Sequence, residues 1–151
     1  MSPLRIVRDD ALGPDARALI AASEAELAAL YPPEARFAFS PEELTAAGTV
    51  FVVAYRGAEA VGCGGLAPLD GYGELKRIFV AKAARGTGVA AALIAALEGA
   101  ARGLALPLLR LETGSDSPTA IALYTRAGYQ QRGPFGSYPE DGPSVYMEKR
   151  I

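Results

Sequence analysis

The sequence predicts an α/β fold: a mixed, mostly antiparallel sheet of about seven strands flanked by about four helices. Two observations carry that expectation. In the first, Glu74-Leu75-Lys76-Arg77-Ile78-Phe79-Val80 is an extended run rich in β-formers. It leads through residues 81–85 into Gly86-Thr87-Gly88, and then into a segment with Val89, Leu93, Ile94 and Leu97 at helical spacing. The hydrophobic period changes at the glycines. In the second, residues 49–55, 60–69 and 72–80 are apolar runs separated by Arg56-Gly57 and Asp70-Gly71, the pattern of an antiparallel meander. A strand at 106–113, reached through the intervening helix, should then run parallel to 72–80, which makes the sheet mixed.

The remaining elements follow in order. Leu4 and Ile6 among Arg5, Val7 and Arg8 suggest a first, edge strand closed by Asp9 and Asp10. Pro14 opens a helix whose face of Ala16, Leu19, Ile20, Ser23, Leu27, Leu30 and Tyr31 runs to Pro32-Pro33. Ser40-Pro41-Glu42-Glu43 is a capping-box pattern and predicts a short helix to about Ala47. The helix after the glycines should end at Arg102-Gly103 with glycine as its cap. Ser117-Pro118 starts a last helix that Gly128 stops, and strands at 129–132 and 144–149 enclose a loop at 133–143 rich in Gly and Pro.

Half of the 151 residues are apolar, which suits one domain across 1–151 burying around two-thirds of its unfolded surface. The formal charge of −2, spread along the chain, supplies no broad cationic field, so neither nucleic acid nor a membrane surface is expected as a partner. There is no histidine, which removes histidine bases and triads and most zinc or non-haem iron sites; no metal is expected. Cys63 is the only cysteine, a composition that suits a reducing cytoplasm. Arg5, Arg8, Asp9 and Asp10 break up the opening residues, so no signal peptide is expected. The most apolar window, 86–97, falls short of the roughly twenty residues that span a bilayer.

Glycines at a helix start let the backbone approach a ligand, and the unpaired first-turn N–H groups favour an anion; Arg85 adds a planar cation suited to phosphate. A phosphate-bearing ligand is expected there. Gly86-x-Gly88-x-x-Ala91 also satisfies the dinucleotide fingerprint, with Glu112 near the spacing of a ribose-binding acid, and a dinucleotide-binding module is the alternative reading. Against it, residues 81–85 separate the strand from the first glycine, and the tail after Glu112 is short.

Arg85-Gly86-Thr87-Gly88-Val89-Ala90 resembles the Gln/Arg-x-x-Gly-x-Gly/Ala pyrophosphate loop of the GNAT superfamily, the acetyl-CoA-dependent N-acetyltransferases. Downstream, Leu111-Glu112-Thr113 and Ala120-Ile121-Ala122-Leu123-Tyr124-Thr125-Arg126-Ala127-Gly128-Tyr129 resemble that family's next strand and its helix ending in a glycine-aromatic pair. The resemblance implies a GNAT fold with its fourth and fifth strands splayed. It also implies acetyl-CoA as cosubstrate, with the pantetheine arm against the backbone of Ile78, Phe79 and Val80 and the diphosphate on residues 85–90, that is Arg85, Gly86, Thr87, Gly88, Val89 and Ala90. Ser117 stands where the family often has an asparagine touching the cofactor, although a serine before proline is also an ordinary helix cap.

By the same resemblance Tyr124 is the acid that protonates the departing thiolate. The base is Glu74, preferred, or Glu112. Direct transfer to a primary amine, in a small molecule or a peptide, is expected, and Cys63 is not expected to carry an acetyl group. Tyr31, Arg36, Phe37, Phe39, Lys76, Phe135 and Tyr138 are the candidate acceptor pocket, where arginine and lysine would suit an acceptor bearing a carboxylate. A non-catalytic acyl-CoA-binding protein of the same fold is a further alternative, and a homodimer stays open.

Overall fold

The computed structural model describes residues 2–35, 43–46, 48–115, 117–140 and 142–151. Arg36, Phe37, Phe39 and the start of the predicted capping box lie outside them. The chain forms β1 (Leu4–Arg8), β2 (Val50–Arg56), β3 (Glu59–Leu69), β4 (Tyr72–Val80), β5 (Leu108–Gly114), β6 (Gln130–Arg132) and β7 (Ser144–Arg150). These make one seven-stranded sheet in the order β1-β2-β3-β4-β5-β7-β6, and β4–β5 is its parallel pair. The helices are α1 (Pro14–Leu30), α2 (Val89–Gly103) and α3 (Pro118–Arg126). Where a fourth was expected, the described residues hold one 3-10 turn, Glu43–Thr45, pinned by buried Leu44. No helix among the described residues is long and apolar enough to cross a membrane.

The sheet separates two apolar layers. Leu66, Leu75, Leu109, Leu111 and Met147 pack with Val89, Leu93, Ile94 and Leu97 of α2 and with Tyr124 of α3. On the other face Phe51, Val53, Cys63 and Phe79 meet Ala16, Leu19 and Ile20 of α1. Gly62 lets α2 come close, since a Cβ there would stand 2.9 Å from both the Phe79 carbonyl oxygen and Val89 Cγ1. The buried residues of α1, namely Ala16, Leu19, Ile20 and Ser23, all lie in its first ten positions. Its apolar stripe continues to Leu27 and Leu30, beyond the support of the sheet.

One irregularity opens the sheet. Against β3, β4 advances from Lys76 to Phe79 while β3 moves back only from Gly65 to Cys63, so β4 carries one extra residue. Arg77 takes it up with φ of 57°, in the left-handed region, and its carbonyl accepts the Cys63 thiol at 3.5 Å. On the other edge β4 pairs with β5 only at Gly73↔Leu109 and Glu74↔Arg110. Beyond those pairs the two strands part, as the resemblance implied.

The end of α2 departs from the sequence expectation. Gly103 stays inside the helix, Leu104 caps it, and the chain reverses at Ala105 with φ of 59°. Ala105 N–H donates to the Arg102 carbonyl at 3.0 Å and Leu106 N–H to the Ala101 carbonyl at 3.0 Å, which is a Schellman closure. The reversal falls two residues after the predicted glycine because this bond pair fixes it there. Ala105→Gly should relieve the left-handed penalty of roughly 1–2 kcal/mol and return part of it as unfolded-chain entropy. We expect a net gain of up to about 1 kcal/mol, read as a higher urea midpoint at constant slope. A lower midpoint would mean that the turn does not strain Ala105.

Candidate active site

A cleft of about 860 Å³ opens where β4 and β5 part, within the range expected of a small-molecule site. At one end lie Arg85, Gly86, Gly88, Val89 and Ala90. Gly86 and Gly88 have φ of 77° and 89°, a conformation that favours glycine, and Gly88 caps α2 without a side chain to bond its first N–H groups. Arg85 Nε donates to the Val80 carbonyl at 3.0 Å, and Nη2 donates to both carboxylate oxygens of Glu26 at 2.7 Å. The guanidinium rests over the Phe79 ring. Thr87 turns away from the cleft walls: its hydroxyl donates to the Ala84 carbonyl at 2.5 Å, and its carbonyl accepts from Arg56. Its side chain shapes the turn.

Ile78, Phe79 and Val80 form the β4 wall, and the opposite wall is α3 with Ser117, Ala120, Leu123 and Tyr124. Ser117 sits at the N-cap position, yet its hydroxyl makes no capping hydrogen bond and lines the cleft. Tyr124 packs edge-on against Tyr129, centroids 5.9 Å apart. Tyr129 is itself seated, its hydroxyl donating to Glu98 at 2.9 Å while Lys149 holds the same carboxylate at 3.0 Å. Burial pushes the Tyr124 phenol up from its ordinary range, and the nearby Glu112 charge adds to the push.

The far end contains Tyr31, Lys76, Arg77, Glu112, Thr113 and Gly114. The Tyr31 ring lies on Gly114 so closely that a Cβ there would fall 1.8 Å from its hydroxyl oxygen. Arg77 Nη2 pairs with Glu24 of α1 at 2.7 Å. Glu112 accepts from the Ser144 hydroxyl at 2.7 Å. Burial raises the Glu112 pKa above the usual carboxylate range, and the charge of Glu74 works in the same direction. The Ser144 bond and the charge of Lys76 oppose that rise.

Glu74 is placed differently. Only 4% exposed, it is absent from the cleft walls, pairs with Lys76 Nζ at 3.0 Å and accepts from the Tyr138 hydroxyl. The reason is topological: at Glu74 the strands are still joined, so its carboxylate lies behind the opening. Phe135 and Tyr138 are also outside the cleft, in an aromatic cluster with Tyr72 and Tyr146 that covers this closed part of the sheet. Of the three catalytic candidates, Glu112 and Tyr124 share the cleft.

Sequence reasoning passed over Ser23, Glu26, Leu27 and Leu30 of α1, and Arg77, Gly114 and Arg126, all of which line it. The overhanging apolar stripe of α1 was the available signal for the first group. Nothing in Arg77 signals a bulge.

The acetyltransferase (GNAT) family model matches residues 16–129. The chain belongs to this family. It is 40% identical to an IAA acetyltransferase of Azospirillum brasilense over 154 residues, covering all of both chains. With the uncharacterized N-acetyltransferase YsnE of Bacillus subtilis it is 32% identical, over 98% of this chain and all of that one. Among solved structures, one assigned as an acyl-CoA N-acyltransferase from Klebsiella pneumoniae superposes with a TM-score of 0.82 at 36% identity, covering 97% of each chain. The PaiA N-acetyltransferase of Thermoplasma acidophilum, solved with coenzyme A, has a TM-score of 0.77 over 99% of each chain; at 17% identity the likeness is one of fold.

As a GNAT acetyltransferase this chain is an acyl-CoA-dependent transferase, and its strand order, with β4–β5 the parallel pair among the described residues, does not form the parallel sheet of a dinucleotide fold. Burial raises the Cys63 thiol to about 12. At pH 8 only about one thiol in ten thousand is then ionised. Iodoacetamide should label Cys63 only after denaturation, as read by mass spectrometry; stoichiometric labelling of the native protein would show the thiol to be accessible.

Proposed function

We propose that this chain, as one domain over residues 1–151, moves the acetyl group of acetyl-CoA to a primary amine by direct transfer in a ternary complex. The observation that carries the reading is that a base and an acid, Glu112 and Tyr124, line the same cleft as an uncapped, glycine-turned helix start. The glycine turn with Arg85 takes the diphosphate, and Ile78, Phe79, Val80 and Ser117 flank the pantetheine arm. The amine comes from the Tyr31 end. Its acceptor chemistry is that of an alkylammonium, whose charge complements Glu112. The lone buried thiol suits a reducing cytoplasm.

An alkylammonium with pKa near 10.4 must lose a proton before it can attack. Glu112 takes that proton and becomes neutral, a transfer that its raised pKa eases. The amine nitrogen bonds to the thioester carbonyl carbon, the C–S bond breaks, and the protonated amide nitrogen is left with one proton to lose. Full ionisation of so weak an acid as Tyr124 is uphill, so its phenol gives its proton to the thiolate as it receives the one from the amide nitrogen. Tyr124 ends as it began, coenzyme A leaves as the thiol, and Glu112 returns its proton to water. Protonating Glu112 first also removes the charge that opposes Tyr124 as an acid. The two residues therefore act in sequence.

Free-thiol release should be measured across alkyl amines, polyamines, amino acids and peptide amines; binding of acetyl-CoA with no thiol release in any would sink the enzyme reading. Tyr124→Phe should lower kcat by about tenfold to ten-thousandfold with little change in acetyl-CoA affinity. For Glu112 the sign is fixed by its raised pKa: the carboxylate is the active form, so kcat/KM should fall as pH drops through that raised value. Glu112→Gln should abolish this limb and lower kcat/KM by about 10²–10⁴; an unchanged profile would remove Glu112 from the mechanism.

A further inference from the structure

Glu74, Lys76 and Tyr138 form a network that the chemistry above does not use, with Glu74 and Tyr138 outside the cleft and Lys76 on its wall. Glu74, 4% exposed, and Lys76, 6% exposed, are joined at 3.0 Å. The Tyr138 hydroxyl donates to the same Glu74 oxygen and accepts from Lys76 Nζ, which also stands 5.0 Å from the Tyr138 ring centre. The strand register shows where this network points. Glu74 pairs with Arg110, and two residues further along the same face of each strand stand Lys76 and Glu112. In a continuous ladder they would be cross-strand neighbours. Because the strands part there, Lys76 faces Glu112 across the opening, and both line the cleft.

A buried lysine left to itself would pair with Glu112 and make it a weak base. Other groups act on Glu112 too: Ser144 and Tyr146 from β7, Tyr124 from α3 and Tyr138 from the 133–143 loop. None of these is a cation or a carboxylate. Glu74 is thus the carboxylate that works against the influence of Lys76 on Glu112.

We propose that Glu74 is a positioning residue, not the base: its buried carboxylate, fixed by Tyr138, holds and neutralises Lys76, so that Glu112 meets the incoming amine as a carboxylate free to take its proton. The inference rests on reading Glu112 as the base. That reading fails separately, if the wild-type acid limb survives Glu112→Gln.

The test is the pH profile of kcat/KM for three variants, with stabilisation by coenzyme A on heating as the check of folding. Glu74→Gln removes the negative charge that pairs with Lys76 and so strengthens the influence of Lys76 on Glu112. The acid limb should move about one unit or more to lower pH, with a reduced plateau. The double variant Glu74→Gln with Lys76→Met removes both charges, a change that buried ion pairs often tolerate, and should return the limb to or above its wild-type position. Tyr138→Phe frees the carboxylate and should move the limb in the same direction as Glu74→Gln, by less. If instead the limb vanishes in Glu74→Gln and is not restored in the double variant, Glu74 is itself the base. A limb unmoved in folded Glu74→Gln makes its role purely structural. Either result overturns the proposal.

Discussion

The site depends on one surplus residue in β4. Had β4 kept step with both neighbours, residues 75–78 would have continued the parallel ladder along residues 111–114 of β5 and closed over the cleft. The bulge at Arg77 takes β4 out of step with β3 and lies just past the point where β4 and β5 last pair, at Glu74↔Arg110. The conformation that accommodates it is a left-handed one, costly for a residue with a side chain and tolerated where the surroundings fix it. Here the surroundings do so: Cys63 bonds the Arg77 carbonyl from β3, and Glu24 holds its guanidinium from α1. Backbone freed from the ladder then faces the cleft, and β5 brings Glu112 to the opposite side.

A chain without histidine must run proton transfer at neutral pH on groups whose ordinary values lie far from it. In the proposed mechanism, burial moves Glu112 toward neutrality, which helps it as the base, and moves Tyr124 away, which does not help it as the acid. The cost of the second shift is offset by its coupling to the first, since each group's charge bears on the other. This is why the two belong in one cleft, and why neither is well judged by its position in the sequence alone.

The strands, the β2–β3–β4 meander, the parallel β4–β5 pairing and the glycine turn were legible because they rest on periodicity, turn chemistry and the handedness of the crossover. Arg85, Ile78, Phe79, Val80 and Tyr124, taken from the family motif, all line the cleft. The choice between Glu74 and Glu112 was not legible, for both alternate correctly on their strands and only the point of separation decides which one reaches the cleft. Phe135 and Tyr138 were placed in the acceptor pocket from their position and chemistry; they instead lie outside the cleft, in the aromatic cluster on the closed sheet where Arg110 stacks on Tyr72 and bridges to Glu148. Gly103 was read as a helix cap from its residue type, while the hydrogen bonds put the reversal at Ala105. Each miss is tertiary geometry overriding a sound local rule.

Behind each of the two side chains proposed to react, Glu112 and Tyr124, stands the same arrangement. On the Glu112 side, Tyr138 donates to Glu74, and Lys76 pairs with that oxygen at 3.0 Å and lies over the tyrosine ring. On the Tyr124 side, Tyr129 donates to Glu98, and Lys149 pairs with that oxygen at 3.0 Å and lies 5.7 Å from the ring centre. The first pair is buried and the second is part-buried at Lys149, and such pairs add little net stability because desolvation consumes most of the attraction. What they do impose is one geometry, since removing any partner leaves a buried charge or hydroxyl unsatisfied. A tyrosine ring so held is a hard surface: Tyr124 rests edge-on against Tyr129 and cannot settle deeper into the apolar layer of α2. The position of Tyr124, the proposed acid, is thereby supported by Glu98 and Lys149, neither of which lines the cleft.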